Sequence, residues 1–445
     1  MAKSQVSQKQ KIIIYTESKF LPEKKYVFQV LFNEILGMEY ELFDTSVSQV
    51  YKFVLPNGMF VEFADEFFTY IPESIGYCSC KHLPTKVAEL KNVLPDEVVP
   101  FLYGNNTLTR HERNVYCGGD IIGSSFFMLS RWEEMISESY DRWGRFPEKD
   151  AFAVKYNIIQ KPVVHIYAEL VRQFFAEYGL EVPQCHTFTK TISHDVDYLY
   201  KWGRPIDFLK SCCADLLKRM SIRTFKTSLK MRQNSQDPYD VYAKLMELSE
   251  RHGLKSVFYF LNTKSNEWEL QTERGQRIIA SILNRNHIVG IHSNYYLEAD
   301  IEKVKADKEF YSSILHKELT LNRQHYLKMR VPQTFRMLEQ VGIEQDSSMY
   351  YPHFPGFRTG MCIEHSLFDC ETRTIMKIKE LPLTLMDISL QRARKHEEAI
   401  SWIDPLIETV KKYNGNFVCL WHNSSFNALE WEYLDGIYEY IVEKE

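Results

Sequence analysis

The chain has no apolar run approaching the roughly 18 residues that cross a bilayer, which excludes an ordinary transmembrane helix. Its N-terminus, MAKSQVSQKQK, is basic, but the apolar stretch after it is only Ile12-Ile-Ile-Tyr15. A secretion signal needs a longer apolar region and a small-residue cleavage site, so residues 12–15 read as a first buried strand and a cytoplasmic setting is expected. Cysteine is sparse and unpatterned: nine residues, an odd number, with no C-x-x-C pair. That argues against a disulfide framework or a paired-cysteine zinc site and for reduced thiols. A surplus of one charge is lacking too. The formal net charge is −5, from 54 Lys and Arg against 59 Asp and Glu, so neither nucleic acid nor an anionic membrane is an expected partner. No internal repeat or low-complexity tract interrupts the chain.

What is present is a chain of 445 residues, longer than one core usually serves, so two domains are expected. A composition of 44% hydrophobic and 25% charged residues belongs to a folded protein rather than a disordered one. Aromatics at 14% suit a carbohydrate-contact surface or, equally, a packed core. Residues 1–185 read as an α+β domain. Asn57-Gly58 between two apolar runs predicts a hairpin. Residues 124–136 predict an amphipathic helix with Ser124 as N-cap and Phe126, Met128 and Leu129 buried. Residues 141–147 (DRWGRFP) read as a loop, and 162–178 as a helix ending near Gly179.

After His186 the texture changes. Apolar runs at 188–192, 256–261, 287–291, 378–381 and 417–421 alternate with helical patterns at 238–251, 275–284, 301–316, 332–339 and 396–413. Repeated βα units predict parallel strands with helices outside, as an open sheet or a barrel. In such folds chemistry gathers at the C-terminal ends of the strands.

Those ends carry polar residues that packing does not require. The first reads Thr191-Ile-Ser-His-Asp-Val-Asp197, and strand alternation places Ser193, Asp195 and Asp197 on one face. Its two carboxylates are then roughly 6–7 Å apart along the rise, one placed for a metal and the other for general-base work. An Asx turn closing the strand is the bland alternative. The third strand opens at His292 into Ser-Asn-Tyr-Tyr296; a lone His there is either a structural hydrogen-bonding residue or a ligand. Arg323 and His325 share a face if their segment is extended, the Arg either ordering a carboxylate or standing solvated on a connection. The last strand ends in His422, placed to protonate a leaving group. Residues 346–348 and 354–360 look like pocket-facing loops, with Arg358 either meeting an anionic group on a sugar or solvated on a turn. His353 and His365 read as structural.

In this order and over residues 187–445 these elements resemble the polysaccharide deacetylase family, the NodB-homology group of carbohydrate esterase family four. The resemblance implies a distorted (β/α) barrel with fewer than eight strands, in a domain spanning 186–445. Ser193-His-Asp-Val-Asp197 looks like the first motif, implying Asp195 as catalytic base and Asp197 as metal ligand. His292-Ser-Asn-Tyr-Tyr296 looks like the second and Arg323-Gln-His-Tyr326 the third, implying His292 as ligand and Arg323 as the residue that orients the base. Asp387 is the candidate fourth motif, as partner of that Arg, and Leu420-Trp-His-Asn423 the fifth, with His422 as general acid. The N-terminal part resembles the uncharacterised domain that precedes a deacetylase-like domain in some bacterial polysaccharide-locus proteins.

Two departures stand out. Tyr296 occupies the place of the family's second His ligand. Either His325 replaces it, or Asp197 and His292 hold the metal with more water, or metal and catalysis are lost. The missing export signal implies a soluble or lipid-linked glycan precursor as substrate. The expectation is thus a zinc-dependent hydrolase removing an acetyl group, across a non-peptide C–N bond, from an N-acetylated sugar or glycan. Asp195, His422, Arg323 and Asp387 would be catalytic, Asp197, His292 and His325 would hold metal, and Tyr296, Tyr326, Arg358 and Trp421 would meet the carbohydrate. The alternative is an inactive glycan-binding or scaffold protein of a polysaccharide pathway.

Overall fold

A computed structural model of the chain describes residues 11–45, 49–263, 269–294, 300–427 and 434–444. The short apolar run near the start becomes β1 (Lys11–Thr16), with Ile12 and Ile14 buried and the residues between them less so. It lies in a mixed six-stranded sheet with β2 (Glu39–Asp44), β3 (Val50–Val54) and β4 (Phe60–Ala64), ordered β2-β1-β3-β4. A separate ribbon of β5 (Ala88–Leu94) and β6 (Glu97–Phe101) follows, and β8 (Asn114–Gly119) and β7 (Gly104–Arg110) then extend the sheet beyond β4. The Asn57-Gly58 turn joins β3 to β4 as expected, with Gly58 at φ +80, a conformation open to glycine at no steric cost.

The helix predicted at 124–136 starts earlier and ends sooner, at Ile121–Ser130. Asp120, not Ser124, is its cap: the Asp120 carboxylate accepts from the Gly123 amide at 2.7 Å and the Phe67 amide at 2.8 Å. The Ser124 hydroxyl accepts from Leu102 and Tyr103 instead, and Arg131 in a left-handed conformation breaks the helix before residues 132–135 resume it. The helix Val163–Glu177 lies where its pattern put it.

The second sheet has nine strands. In chain order they are β9 (Thr189–Val196), β10 (Ser256–Leu261), β11 (Ile288–Ser293), β12 (Leu321–Gln324), β13 (Gln345–Asp346), β14 (His365–Asp369), β15 (Thr374–Glu380), β16 (Leu385–Met386) and β17 (Asn416–Leu420). Their order across the sheet is β14-β15-β13-β12-β11-β10-β9-β17-β16, and every neighbouring pair is parallel except β14 with β15. Helices at Tyr242–Arg251, Glu273–Asn284, Ile301–Leu315, Gln333–Gln340 and His396–Lys412 connect the strands, close to their predicted positions.

Among the described residues no sheet closes, so the expected distorted barrel is not confirmed. Closure requires every strand to be paired on both sides, and here β14 and β16 remain edges that do not pair with each other. Strand β16 is only two residues long, and β14 runs antiparallel to its neighbour and packs against the helices Ile121–Ser130 and Gln29–Ile35 of the chain before β9, called the first unit below. Tyr26 stacks on Phe368 of β14 with ring centroids 5.0 Å apart, and its hydroxyl donates to the Ser366 carbonyl at 2.8 Å. That edge is therefore covered by another layer rather than by a further strand. No described helix is long and apolar enough to cross a membrane.

Candidate metal centre and cleft

Parallel register sets the site. Asp195 in β9 lies opposite Tyr259 in β10, and His292 in β11 opposite Arg323 in β12, so these side chains leave the sheet at one edge. The Arg323 guanidinium is fully buried. It donates through Nη1 to Asp195 Oδ1 and to Ser193 Oγ, both at 2.9 Å, and through Nε to the Ser347 carbonyl at 2.8 Å. Its other face rests on the Tyr259 ring, 4.3 Å from the centroid. Gly290 makes that possible, because a Cβ there would stand 2.6 Å from the Tyr259 ring. Residues 346–348, read as a pocket-facing loop, instead back this arrangement: Ser347 holds Arg323, and Ser348 Oγ accepts from the Gln324 amide at 2.9 Å.

Asp197, His292 and His325 converge beside Asp195, with one ligand atom from each lying within 4.8 Å of the others. His292 Nε2 is 3.4 Å from Asp197 Oδ1, and His325 Nε2 is 3.6 Å from the same oxygen. Two ligands of a tetrahedral zinc ion with bonds near 2.1 Å stand about 3.4 Å apart, so the spacing fits co-ligands of one ion better than it fits direct hydrogen bonds. His292 Nδ1 lies 2.9 Å from the Arg323 carbonyl, which fixes the tautomer and leaves Nε2 facing the carboxylate. Burial, with the neighbouring His292 ring adding to it, holds His325 down to about 4, so it is neutral near pH 7 as a ligand must be. Burial opposes ionisation of Asp197, but the adjoining His292 ring, with His422 and His325 beside it, keeps its carboxyl well below the usual range. Tyr296 lies outside the described residues.

His422, just past β17, closes the other side. Its Nδ1 meets Asp387 Oδ1 at 2.8 Å, and its backbone amide donates to Asp387 Oδ2 at 2.9 Å. Burial acts to lower its pKa, yet the Asp387 charge and hydrogen bond outweigh that and push His422 up to about 10. This corrects the expected role of Asp387. It partners His422 and not Arg323, whose side-chain donors go to Asp195, Ser193 and Ser347.

These groups line a cleft of about 270 Å³ whose floor includes Leu327, Met386 and Leu420. One wall comes from the first unit, a contribution the sequence did not announce. The 141–147 loop brings Arg142, Trp143 and Arg145 to the cleft, and Trp143 stacks on Tyr326 with centroids 4.6 Å apart and planes 13° apart. Arg145 pins that contact, donating to the Tyr326 carbonyl at 2.9 Å while paired with Asp141 at 2.7 Å. Tyr326 itself sits at φ +59, in the left-handed region, at the turn that follows β12. A Trp between two Arg in a loop was the available signal. His353, read as structural, also lines the cleft, where its ring pairs with Glu148.

Two expected carbohydrate contacts lie elsewhere. Arg358 is buried between the units, donating to Glu134 at 3.0 Å and to the Tyr350 carbonyl at 2.8 Å, because a charge at that depth needs fixed partners. Trp421 is buried on the face opposite Leu420 and His422, with its ring against Tyr438.

Residues 12–179 match a family of unknown function, DUF7033. None of the curated proteins matches the chain. Among solved structures, a protein from Mycobacterium smegmatis named among the polysaccharide deacetylases is 13% identical, with 60% of this chain and 87% of that one covered at a TM-score of 0.39. A polysaccharide deacetylase from Bacillus cereus is 12% identical, covering 58% and 86% at 0.29. A pseudoenzyme of carbohydrate esterase family four from Bacillus anthracis is 10% identical, covering 58% and 61% at 0.30. At such distances only the chemistry of the cleft speaks to function.

Proposed function

We propose that the chain is a metal-dependent hydrolase that removes an acetyl group from an N-acetylated sugar or glycan. One observation carries the reading: an Asp-His-His set at co-ligand spacing next to a carboxylate held by a buried Arg, in an open cleft. Asp197, His292 and His325 would hold the ion, with His325 in the place left by Tyr296, and zinc suits the donor set. Bound there, a divalent ion supplies Lewis-acid polarisation of an acyl carbonyl and lowers the pKa of water.

The chain's own groups do the rest. Asp195, held in place by the hydrogen bond from Arg323, accepts the proton of the attacking water. His422, protonated near pH 7 through Asp387, delivers a proton to the leaving nitrogen. Trp143 and Tyr326 give the sugar an apolar face at the mouth. The first unit, about residues 1–185, would thus complete the substrate wall of the second, about 186–445.

Elemental analysis of purified protein beside Asp197→Ala and His325→Ala tests the reading, with acetate release from N-acetylated oligosaccharides as the second readout. About one ion per chain, lost in both variants, is expected from a three-ligand site. A metal content unchanged by His325→Ala would remove that residue from the site. Metal bound without acetate release would turn the reading to the glycan-binding alternative.

A further inference from the structure

Between β9 and the helix Tyr242–Arg251 the chain makes an excursion that the cleft does not use. Two helices, Pro205–Leu217 and Ile222–Gln233, form a hairpin that begins eight residues after Asp197, on the same edge of the sheet as the cleft. Their inner faces are tied together. The buried Asp215 carboxylate accepts from Arg219 at 2.8 Å and from Ser228 Oγ at 3.0 Å, and Trp202 meets Phe208 edge-on at 5.1 Å. Ser221 caps the second helix by accepting from the Thr224 amide at 3.1 Å.

The first helix is amphipathic the wrong way round for a soluble surface. Ile206, Leu209, Cys213 and Leu216 follow one another at spacings of three, four and three residues, which puts them on one stripe, and all are exposed. The stripe continues into the hairpin tip, where Leu217 is 81% exposed, Met220 82% and Ile222 65%. A run of exposed apolar side chains at a hairpin tip marks a surface that something covers. Charge says what. Residues 205–233 carry seven Lys and Arg against two Asp, in a chain whose net charge is −5. Lys210, Lys218, Lys226 and Lys230 are all exposed on this hairpin.

We propose that this hairpin is a membrane-surface anchor that docks on an anionic lipid bilayer, sinking Leu217, Met220 and Ile222 among the acyl chains while its lysines meet lipid headgroups. Apolar insertion and electrostatic attraction add in such elements, and neither suffices alone. A second copy of the chain is a poor occupant, because pairing two such faces brings like charge against like charge. Since the hairpin leaves the sheet at the edge that bears the cleft, docking would hold the cleft near the bilayer surface. The inference stands on the hairpin alone and does not depend on the metal reading.

The test is co-sedimentation of the full-length protein with vesicles of phosphatidylcholine alone or with phosphatidylglycerol added. Anionic vesicles should bind at least about tenfold more tightly than neutral ones, and salt should weaken the binding. Leu217→Asp with Met220→Asp, and separately Lys226→Glu with Lys230→Glu, should each reduce it by about tenfold or more, with circular dichroism and thermal midpoint unchanged at these exposed positions. Absence of binding, equal binding to both vesicles, or binding indifferent to both pairs of substitutions would overturn the proposal. So would a concentration-dependent dimer abolished by Leu217→Asp in protein that ignores vesicles. Should a variant fail to fold, the vesicle preference and salt response of the native chain decide.

Discussion

Between the two units, Arg131, Glu133, Glu134 and Arg358 form one buried cluster of charge; at the strand ends, Asp195, Asp197, His292, His325 and Arg323 form another. The first is balanced and saturated. Two Arg face two Glu, Tyr351 joins at 2.8 Å from Arg131 and 3.1 Å from Glu134, and the Phe152 amide donates to Glu133 at 3.0 Å. In the second Asp195 is tightly held by Arg323 at 2.9 Å. The His to Asp197 separations of 3.4 and 3.6 Å are wide for hydrogen bonds, and the cluster opens on a cleft. Buried charge that joins two layers of structure has every valence met at close range, whereas the open cluster leaves the room that the proposed ion and reactant would need.

Substitutions can sharpen that difference. The largest effect belongs to the open cluster: Asp195→Asn should lower acetate release by about 10²–10⁴-fold while metal content stays at the wild-type level. Loss of metal together with activity would make Asp195 a ligand instead of a base. In the closed cluster, Glu134→Ala leaves two buried guanidiniums short of a partner and should destabilise the fold by about 3–5 kcal/mol, read by denaturant unfolding.

The same residue makes a prediction in pH. Burial opposes ionisation of Glu134, but the charges of Arg358 and Arg131 and their hydrogen bonds hold its pKa down to about 2, below the ordinary 4.5. A depressed carboxylate adds stability that is fully present above the unfolded value and is lost as pH falls through the folded one. The stability gap between wild type and Glu134→Gln should thus be constant above about pH 4.5 and shrink from there toward pH 2. A gap that widens on acidification would contradict the pairing. The smallest effect is expected at the cleft mouth. Trp143→Ala removes one stacking partner, worth about 1 kcal/mol, and should raise KM roughly fivefold with kcat little changed. An unaltered KM would separate the 141–147 loop from the substrate.

The residues that make the site were legible one strand end at a time. Asp195, Asp197, His292, Arg323, His325 and His422 each stand where an apolar run turns polar, and alternation already placed the two carboxylates on one face. Pairing was less legible. Asp387 was expected beside Arg323 and lies on His422, because partner choice depends on the depth and order of strands across the sheet. Trp143 and His353 were passed over for a related reason: they reach the cleft only because one unit packs against the other. Whole-chain charge hid the hairpin, since an excess of five positive charges within 29 residues disappears in a net value of −5. The open sheet leaves the expected distorted barrel unconfirmed, because repeated βα units specify parallel strands but not whether the first and last edges meet.

By itself the sequence determined the alternation of strands and helices after residue 186, the faces on which side chains leave those strands, and the chemical types gathered at their ends. Hydrophobic periodicity and backbone geometry are local, so they can be read locally. Only the tertiary structure decided that the nine-stranded sheet stays open, that Arg358 joins the two units instead of meeting substrate, that Asp387 holds His422, and that a loop of the first unit walls the cleft of the second. Each of these depends on which groups far apart in the chain come within a few ångströms, and burial settles that by requiring every enclosed charge to find a partner in space.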